Sequence, residues 1–219
     1  MIKKTIFALA ALTLAAAAHA DTVSVLTEGF ESGVPSNWIQ NNANVASATP
    51  AFFQGYIEAS SAQSGSADSY VMANYLTPGT ASGYDVWLIT PEVTLISGAT
   101  LSFFTKTIEA GYNDTLQVYF NAGSGTAVSD FTNLLTTVSS SLTTDWQQIS
   151  ASLASTVSGA GRFAFRYTGN ILESSSIAID SVSVSTVGAT ADVPEPASIA
   201  LLGLGVAGLM VARRKQQRA

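Results

Sequence analysis

Between Asp21 and Asp192 the chain carries 14 Asp or Glu but neither Cys nor His, the one histidine of the sequence being His19. That rules out a Ser-His-Asp triad, a Cys-His pair and a His/Cys zinc site in this stretch. The chemistry left open is glycoside hydrolysis by two carboxylates flanking a cleft. Its candidate acids are Glu58, Asp68, Glu92, Glu109 and Asp114. None of the five stands in a motif that supplies a neighbouring cation or a cleft, so a non-catalytic binding module is the favoured reading and a glycan-active hydrolase the alternative.

Against the 14 acids the same stretch has only Lys106, Arg162 and Arg166, a net charge of −11. Such a surface repels nucleic acid and anionic lipid. No nucleic-acid partner is expected, whereas polar glycans or ordered calcium suit it.

The ends of the chain have a different composition from its body. Lys3 and Lys4 precede an apolar run from Ile6 to Ala18, and Ala18-His19-Ala20 is a small-x-small site. Residues 1–20 therefore read as a signal peptide, cleaved after Ala20 so that the exported chain begins at Asp21. At the other end stands "VPEPASIALLGLGVAGLMVARRKQQRA", from Val193 to Ala219. Its uncharged stretch Ile199 to Ala212 is 14 residues, about 21 Å of helix, or about 26 Å counted from Pro196. That is short for a hydrocarbon core of roughly 30 Å and suits a transient anchor in the inner membrane. Arg213, Arg214, Lys215 and Arg218 would remain on the cytoplasmic side and leave the acidic body outside. The expected spanning helix covers about 197–212.

Gly203-Leu204-Gly205-Val206-Ala207-Gly208 matches G-x-G-x-x-G. A dinucleotide site needs that string between a strand and a helix of a βαβ unit, and an uncharged membrane-length run offers no such context. Small residues that let a membrane helix pack closely are the better account.

The elements between these ends read as strands. "TVSVLT" (22–27), "YVMANY" (70–75), "VWLIT" (86–90), "TLSFFTKT" (100–107), "TLQVYFN" (115–121), "DWQQISASL" (145–153), "RFAFRYT" (162–168) and "IAIDSVSVS" (177–185) recur between Gly, Ser, Asn and Pro punctuation. In "RFAFRYT", Phe163, Phe165 and Tyr167 alternate with Arg162, Ala164 and Arg166, the period of a half-buried strand. A helical period is faintly present only around Asp130 to Val138. The expected fold is all-β, a two-sheet jelly-roll sandwich over residues 21–190, flanked by the signal helix and by a sorting segment at 191–219.

Two resemblances sharpen this reading. "EGFESGVPSNWIQ", "DSYVMANY", "YDVWLITPEVTL", "ATLSFFTKT", "NDTLQVYFNAGSG", "TDWQQISASL", "GRFAFRYTG" and "SIAIDSVSVS" resemble, in order, the choice-of-anchor J domain, a relative of the cleaved-adhesin and MAM-like jelly rolls. The tail resembles a PEP-CTERM sorting signal, with Pro194, Glu195 and Pro196 as its recognition residues. This second resemblance implies an exosortase that removes the tail near that tripeptide. It also implies a cell-surface or extracellular-matrix destination beside exopolysaccharide in a biofilm, with a polysaccharide or a surface protein as ligand of an adhesin.

Jelly rolls of this type often hold a structural calcium, and the resemblance places Glu31 and Asp180 at its matching positions. By strict alternation Asp180 shares its face with Val182 and Val184, so its carboxylate needs a cation or several backbone amides unless it is solvated at a bulge. Trp38, Trp87 and Trp146, with Tyr56, Tyr70, Tyr75, Tyr84 and Tyr112, could build a sugar platform, although most are expected to be packed. The loops 111–115 and 77–85 are candidate recognition tips.

Overall fold

The computed structural model describes residues 21–43, 51–74, 83–139 and 142–188, with Gly203, Gly205, Val206, Gly208, Arg213 and Arg214. Its strands are β1 (Thr22–Glu28), β2 (Ile39–Asn42), β3 (Phe52–Gln54), β4 (Val71–Asn74), β5 (Tyr84–Ile89), β6 (Val93–Leu95), β7 (Ala99–Thr107), β8 (Thr115–Ala122), β9 (Asn133–Val138), β10 (Gln147–Leu153), β11 (Gly159–Gly169) and β12 (Ser176–Val187). Each of the eight expected segments contains a strand among its described residues. The faint helical period at 130–138 is not a helix: a 3-10 turn at Val128–Asp130 leads into β9, whose Thr136, Thr137 and Val138 favour the pleated strand that pairs with β8.

The strands form two six-stranded sheets. The first has the order β10-β7-β12-β4-β3, with β1 also on β12, and the second has β2-β5-β11-β8-β9, with β6 also on β11. All of these pairings are antiparallel.

Alternation fills the space between the sheets. Leu101 and Phe103 of β7 meet Phe163, Phe165 and Tyr167 of β11 and Leu116, Val118 and Phe120 of β8. Phe103 sets its edge on Phe165 at a centroid distance of 4.9 Å. Each such side chain contributes about 1.5–3 kcal/mol by leaving water. Trp38 is buried here against Phe30 and Phe165.

Trp87 is packed as expected of most of the aromatic residues, in a second apolar cluster. It is 5% exposed on the outer face of the second sheet, with Ile89, Phe131 and Ala164. Arg166 lies over its ring at 5.3 Å and is held by both oxygens of Asp85, at 2.8 and 2.7 Å, and by Gln117 at 3.0 Å.

The first and last strands settle where the flanking segments attach. Thr22 of β1 is the register partner of Val187 of β12, so both ends of the sandwich emerge side by side. Residues 1–20 and 189–202 lie outside the described residues, and with them the expected signal helix, Ala18, Ala20, Pro194, Glu195 and Pro196. Lys215 and Arg218 are outside them too. Gly203, Gly205, Val206, Gly208, Arg213 and Arg214 are helical and exposed. Among the described residues no helix is long and apolar enough to cross a membrane, so the span expected at 197–212 is not seen in them.

Candidate functional site

The sixteen-residue connection 55–70, rich in Ser, Gly and Ala, would have little reason to hold one shape by itself. It is instead laid across the outer face of the first sheet and tied down along its length. Gly55 donates its N–H to the Tyr70 carbonyl at 2.7 Å. The Tyr70 hydroxyl accepts from the Tyr56 N–H at 3.2 Å and donates to the Tyr56 carbonyl at 2.9 Å. No side chain fits at position 55, because a Cβ there would lie 2.1 Å from Cε1 of Tyr70.

The middle of the loop is held from two further strands. Trp146, immediately before β10, donates its indole N–H to the Ser61 carbonyl at 3.0 Å, and its ring meets that of Tyr70 edge-on at 5.9 Å. Lys106 of β7 reaches the Ser60 hydroxyl at 2.9 Å and covers the Trp146 ring at 5.7 Å. Burial pushes its ammonium below the ordinary lysine value, with Asp145 pulling the other way. Beneath the loop Tyr70, Met72 and Ala178 form a small apolar layer, joined by Phe53, Ala59 and Ala62.

Asp180 is the third tie, and its position corrects the alternation argument. Ser181 has φ 51°, and the β12–β7 register shifts between Asp180 and Ser183. This bulge lets Ile177, Ile179, Val182 and Val184 all enter the core, while Asp180 follows Ala178 onto the outer face under the loop. It is fully buried there. One oxygen accepts the N–H groups of Gln63 at 2.8 Å and Ser64 at 3.1 Å, and the other accepts the N–H of Ser181 and its hydroxyl. Backbone amides are thus its partners. Three backbone N–H groups already partner Asp180, so its burial is accounted for without the calcium expected between it and Glu31. Glu31 is exposed, and its carbonyl receives the Gln54 side-chain amide at 3.4 Å. Among the described residues no three His, Cys, Asp or Glu lie close enough to hold a metal.

Burial raises the Asp180 carboxyl above the ordinary carboxylate range, and the amides of Ser64, Ser181 and Gln63 offset only part of that rise. Folding therefore takes up a proton between the usual carboxylate value of about 4 and the raised one. The stability Asp180 contributes is complete below that window and is lost as pH rises through it. Asp180→Asn cannot titrate, so wild type is expected to lose stability relative to this variant as pH rises from about 4. Denaturant titrations across a pH series measure this, and parallel profiles would contradict it.

What the tethered loop presents is a cleft of about 300 Å³ lined by Gly55, Tyr56, Ile57, Glu58, Ala67 and Asp68. Tyr56 is 48% and Ile57 60% exposed, with the backbone at Tyr56 held by two hydrogen bonds to the Tyr70 hydroxyl. Glu58 and Asp68 are exposed, the latter receiving the Gln54 side-chain amide at 3.4 Å. These two are the only pair of the five candidate acids that share this cleft. Glu92 and Glu109 are exposed elsewhere, while Asp114 is buried and accepts bonds from Thr107, Tyr167 and Ser175.

Of the aromatic candidates, Tyr56 and Tyr112 are open to solvent, and Tyr70 and Tyr84 are buried. Tyr75 and residues 77–82 lie outside the described residues. The sequence reading had Tyr56 but missed Ile57 and the loop as a unit. The available signal was an apolar pair, Tyr56-Ile57, inside a Ser- and Gly-rich run bounded by acids.

Residues 23–166 match the Cleaved Adhesin Domain, and residues 192–215 match the PEP-CTERM protein-sorting motif. Hemagglutinin A of Porphyromonas gingivalis is 31% identical over 116 residues, covering 51% of this chain. The chain spans only 4% of the length of that protein. Among solved structures, the K1 Cleaved Adhesin domain of Lys-gingipain from P. gingivalis W83 aligns with a TM-score of 0.60 at 23% identity, over 77% of this chain and 99% of that one. The K3 domain of the same protein aligns with a TM-score of 0.58 at 23% identity, over 76% and 99%. At such identity the structural likeness speaks for the fold.

Proposed function

The chain belongs to the Cleaved Adhesin Domain family, and on that premise we propose that it is a matrix module, delivered by an exosortase, that holds polysaccharide in the cleft beside Tyr56. Domains of this family bind and do not catalyse, and this chain is not an enzyme. With its PEP-CTERM motif it is an exported, adhesin-like protein of the cell surface. Glu58 and Asp68 accordingly serve as hydrogen-bond acceptors for a ligand.

In this reading the tail anchors the chain in the inner membrane for a short time, and the exosortase cuts it near Pro194-Glu195-Pro196. What supports such processing is the position of the last strand. β12 ends at Val187 and the matched motif begins at residue 192, so a cut within the motif leaves every strand in place.

One observation carries the choice of ligand: an exposed tyrosine on a backbone fixed by two hydrogen bonds to Tyr70, beside two carboxylates. A sugar ring stacks its C–H face on such a ring, and its hydroxyls donate to the acids. The rigid backbone spares the ordering cost that a mobile loop would impose. Immobilised polysaccharide from the producing cells is expected to retain the wild-type protein. Tyr56→Ala should weaken retention at least about tenfold with an unchanged melting temperature. Equal retention of the two proteins would remove the cleft from the account.

A further inference from the structure

We propose that the cleft selects a polysaccharide whose sugars carry free amines, with the pyranose ring on Tyr56 and the ammonium group between Glu58 and Asp68. The proposal rests on the polysaccharide reading above and adds the chemical class of the sugar.

The argument starts from what the cleft offers. Its only ionisable side chains besides Tyr56 are two carboxylates, and ionised carboxylates accept hydrogen bonds without donating any. A uronate or sulfate would find no cation there. None of the three cations of the body lines the cleft: Lys106 reaches the Ser60 hydroxyl, Arg162 the Thr90 carbonyl, and Arg166 Asp85. A neutral sugar would satisfy the acids only through hydroxyls. An ammonium group supplies three donors and the opposite charge.

The field of the whole body acts in the same direction. With 14 acids against three cations between Asp21 and Asp192, a cationic polymer is drawn toward the module before contact is made. Ile57, 60% exposed beside the ring, extends the apolar strip along which a second sugar can lie. A bare divalent cation fits poorly by comparison, since the cleft supplies two carboxylates where calcium takes six to eight oxygens.

The test uses the processed protein from its own cells and titration calorimetry at about pH 6, where the sugar amines are charged. The probes are the β-1,4 hexamer of glucosamine, the same hexamer N-acetylated, and a lysine oligomer. The glucosamine hexamer should bind at least about tenfold more tightly than the acetylated one, and the preference should shrink between about 0.02 and 0.5 M salt. The double variant Glu58→Gln, Asp68→Asn should lose the preference, and Tyr56→Ala should lose both sugars.

Equal or tighter binding of the acetylated hexamer would overturn amine selection while leaving the polysaccharide reading intact. If the lysine oligomer bound as tightly as the glucosamine hexamer, the sugar assignment would fail in favour of a cationic protein. Failure of all three probes to bind, with retention on native polysaccharide preserved, would also overturn the proposal. Because the wild-type preference is read directly, the result does not depend on how the variants fold.

Discussion

Asp114→Ala is expected to destabilise the sandwich by on the order of 3 kcal/mol, lowering its melting temperature by roughly 6–12 °C. The carboxylate is 1% exposed and accepts from the Tyr167 hydroxyl, from Thr107 Oγ1 at 2.8 Å and from the Ser175 N–H at 3.1 Å. It thereby joins β7, β11 and the turn before β12.

Tyr167 and Thr107 have other acceptors within reach, Ser175 O at 3.2 Å and Glu109 O at 3.1 Å. The amide of Ser175 would be left buried with no acceptor, and a cavity would remain beside the Tyr84 and Tyr167 rings, which meet tilted with centroids 4.4 Å apart. Asp114→Asn should cost much less. Its amide oxygen can keep the two donors on one side, and the Thr107 hydroxyl can turn from donor to acceptor on the other. Burial beside Tyr84 and Asp114 drives the Tyr167 hydroxyl far above its ordinary value, so it stays a donor throughout the usable pH range. Calorimetry of the three proteins decides the matter, and an alanine variant within about 1 kcal/mol of wild type would mean that water substitutes for the carboxylate.

Asp180→Ala is expected to act on the loop more than on the sheets. The variant strips the acceptor from the amides of Gln63, Ser64 and Ser181 at once. Removing one partner of a buried bond costs more than the bond contributes, about 1–3 kcal/mol for each group left unsatisfied. The loop can recover part of that by lifting into water around residues 63 and 64, while Tyr70, Trp146, Lys106 and the Ser181–Gln63 side-chain bond still hold it.

Amide hydrogen exchange at residues 59–68 should therefore accelerate on the order of 100-fold, with the protection of β7 and β11 little changed. Sugar binding at Tyr56 should weaken in parallel, because the cleft is lined from the same loop. Uniform acceleration across both sheets would show that Asp180 supports the whole sandwich and not the cleft in particular.

How much of this was legible follows from where each signal lies. Most of the eight strands that were read declare themselves through side chains two apart, as in β11, where Phe163, Phe165 and Tyr167 face the core and Arg162 and Arg166 do not, while β4 declares itself as a short apolar run. The four that went unread are short or polar. β3 and β6 have three residues each, β2 is Ile-Gln-Asn-Asn, and β9 begins with Asn133. Such strands form because a neighbour offers them a ladder, a tertiary effect that overrides their weak propensity.

The candidate site was legible only in pieces. An apolar setting for Asp180 could be read from its strand and a bulge there was open as an alternative, but strict alternation assigned the wrong face, and the bulge at Ser181 leaves the carboxylate buried where a solvated one was the expectation. Its amide partners lie 117 and 116 residues upstream, a pairing that no local pattern encodes. Gly55 is similar, since its need is set by the ring of Tyr70, fifteen positions on. The tail stood out because its composition breaks so sharply from the acidic body before it.

The most direct test of the account is the intact mass of the protein recovered from the surface of its own cells, with both terminal sequences. A chain that begins at Asp21 and ends near Pro194-Glu195-Pro196, with or without an added group, is the predicted result. A surface protein that still carries Arg213 and Arg214 would contradict it.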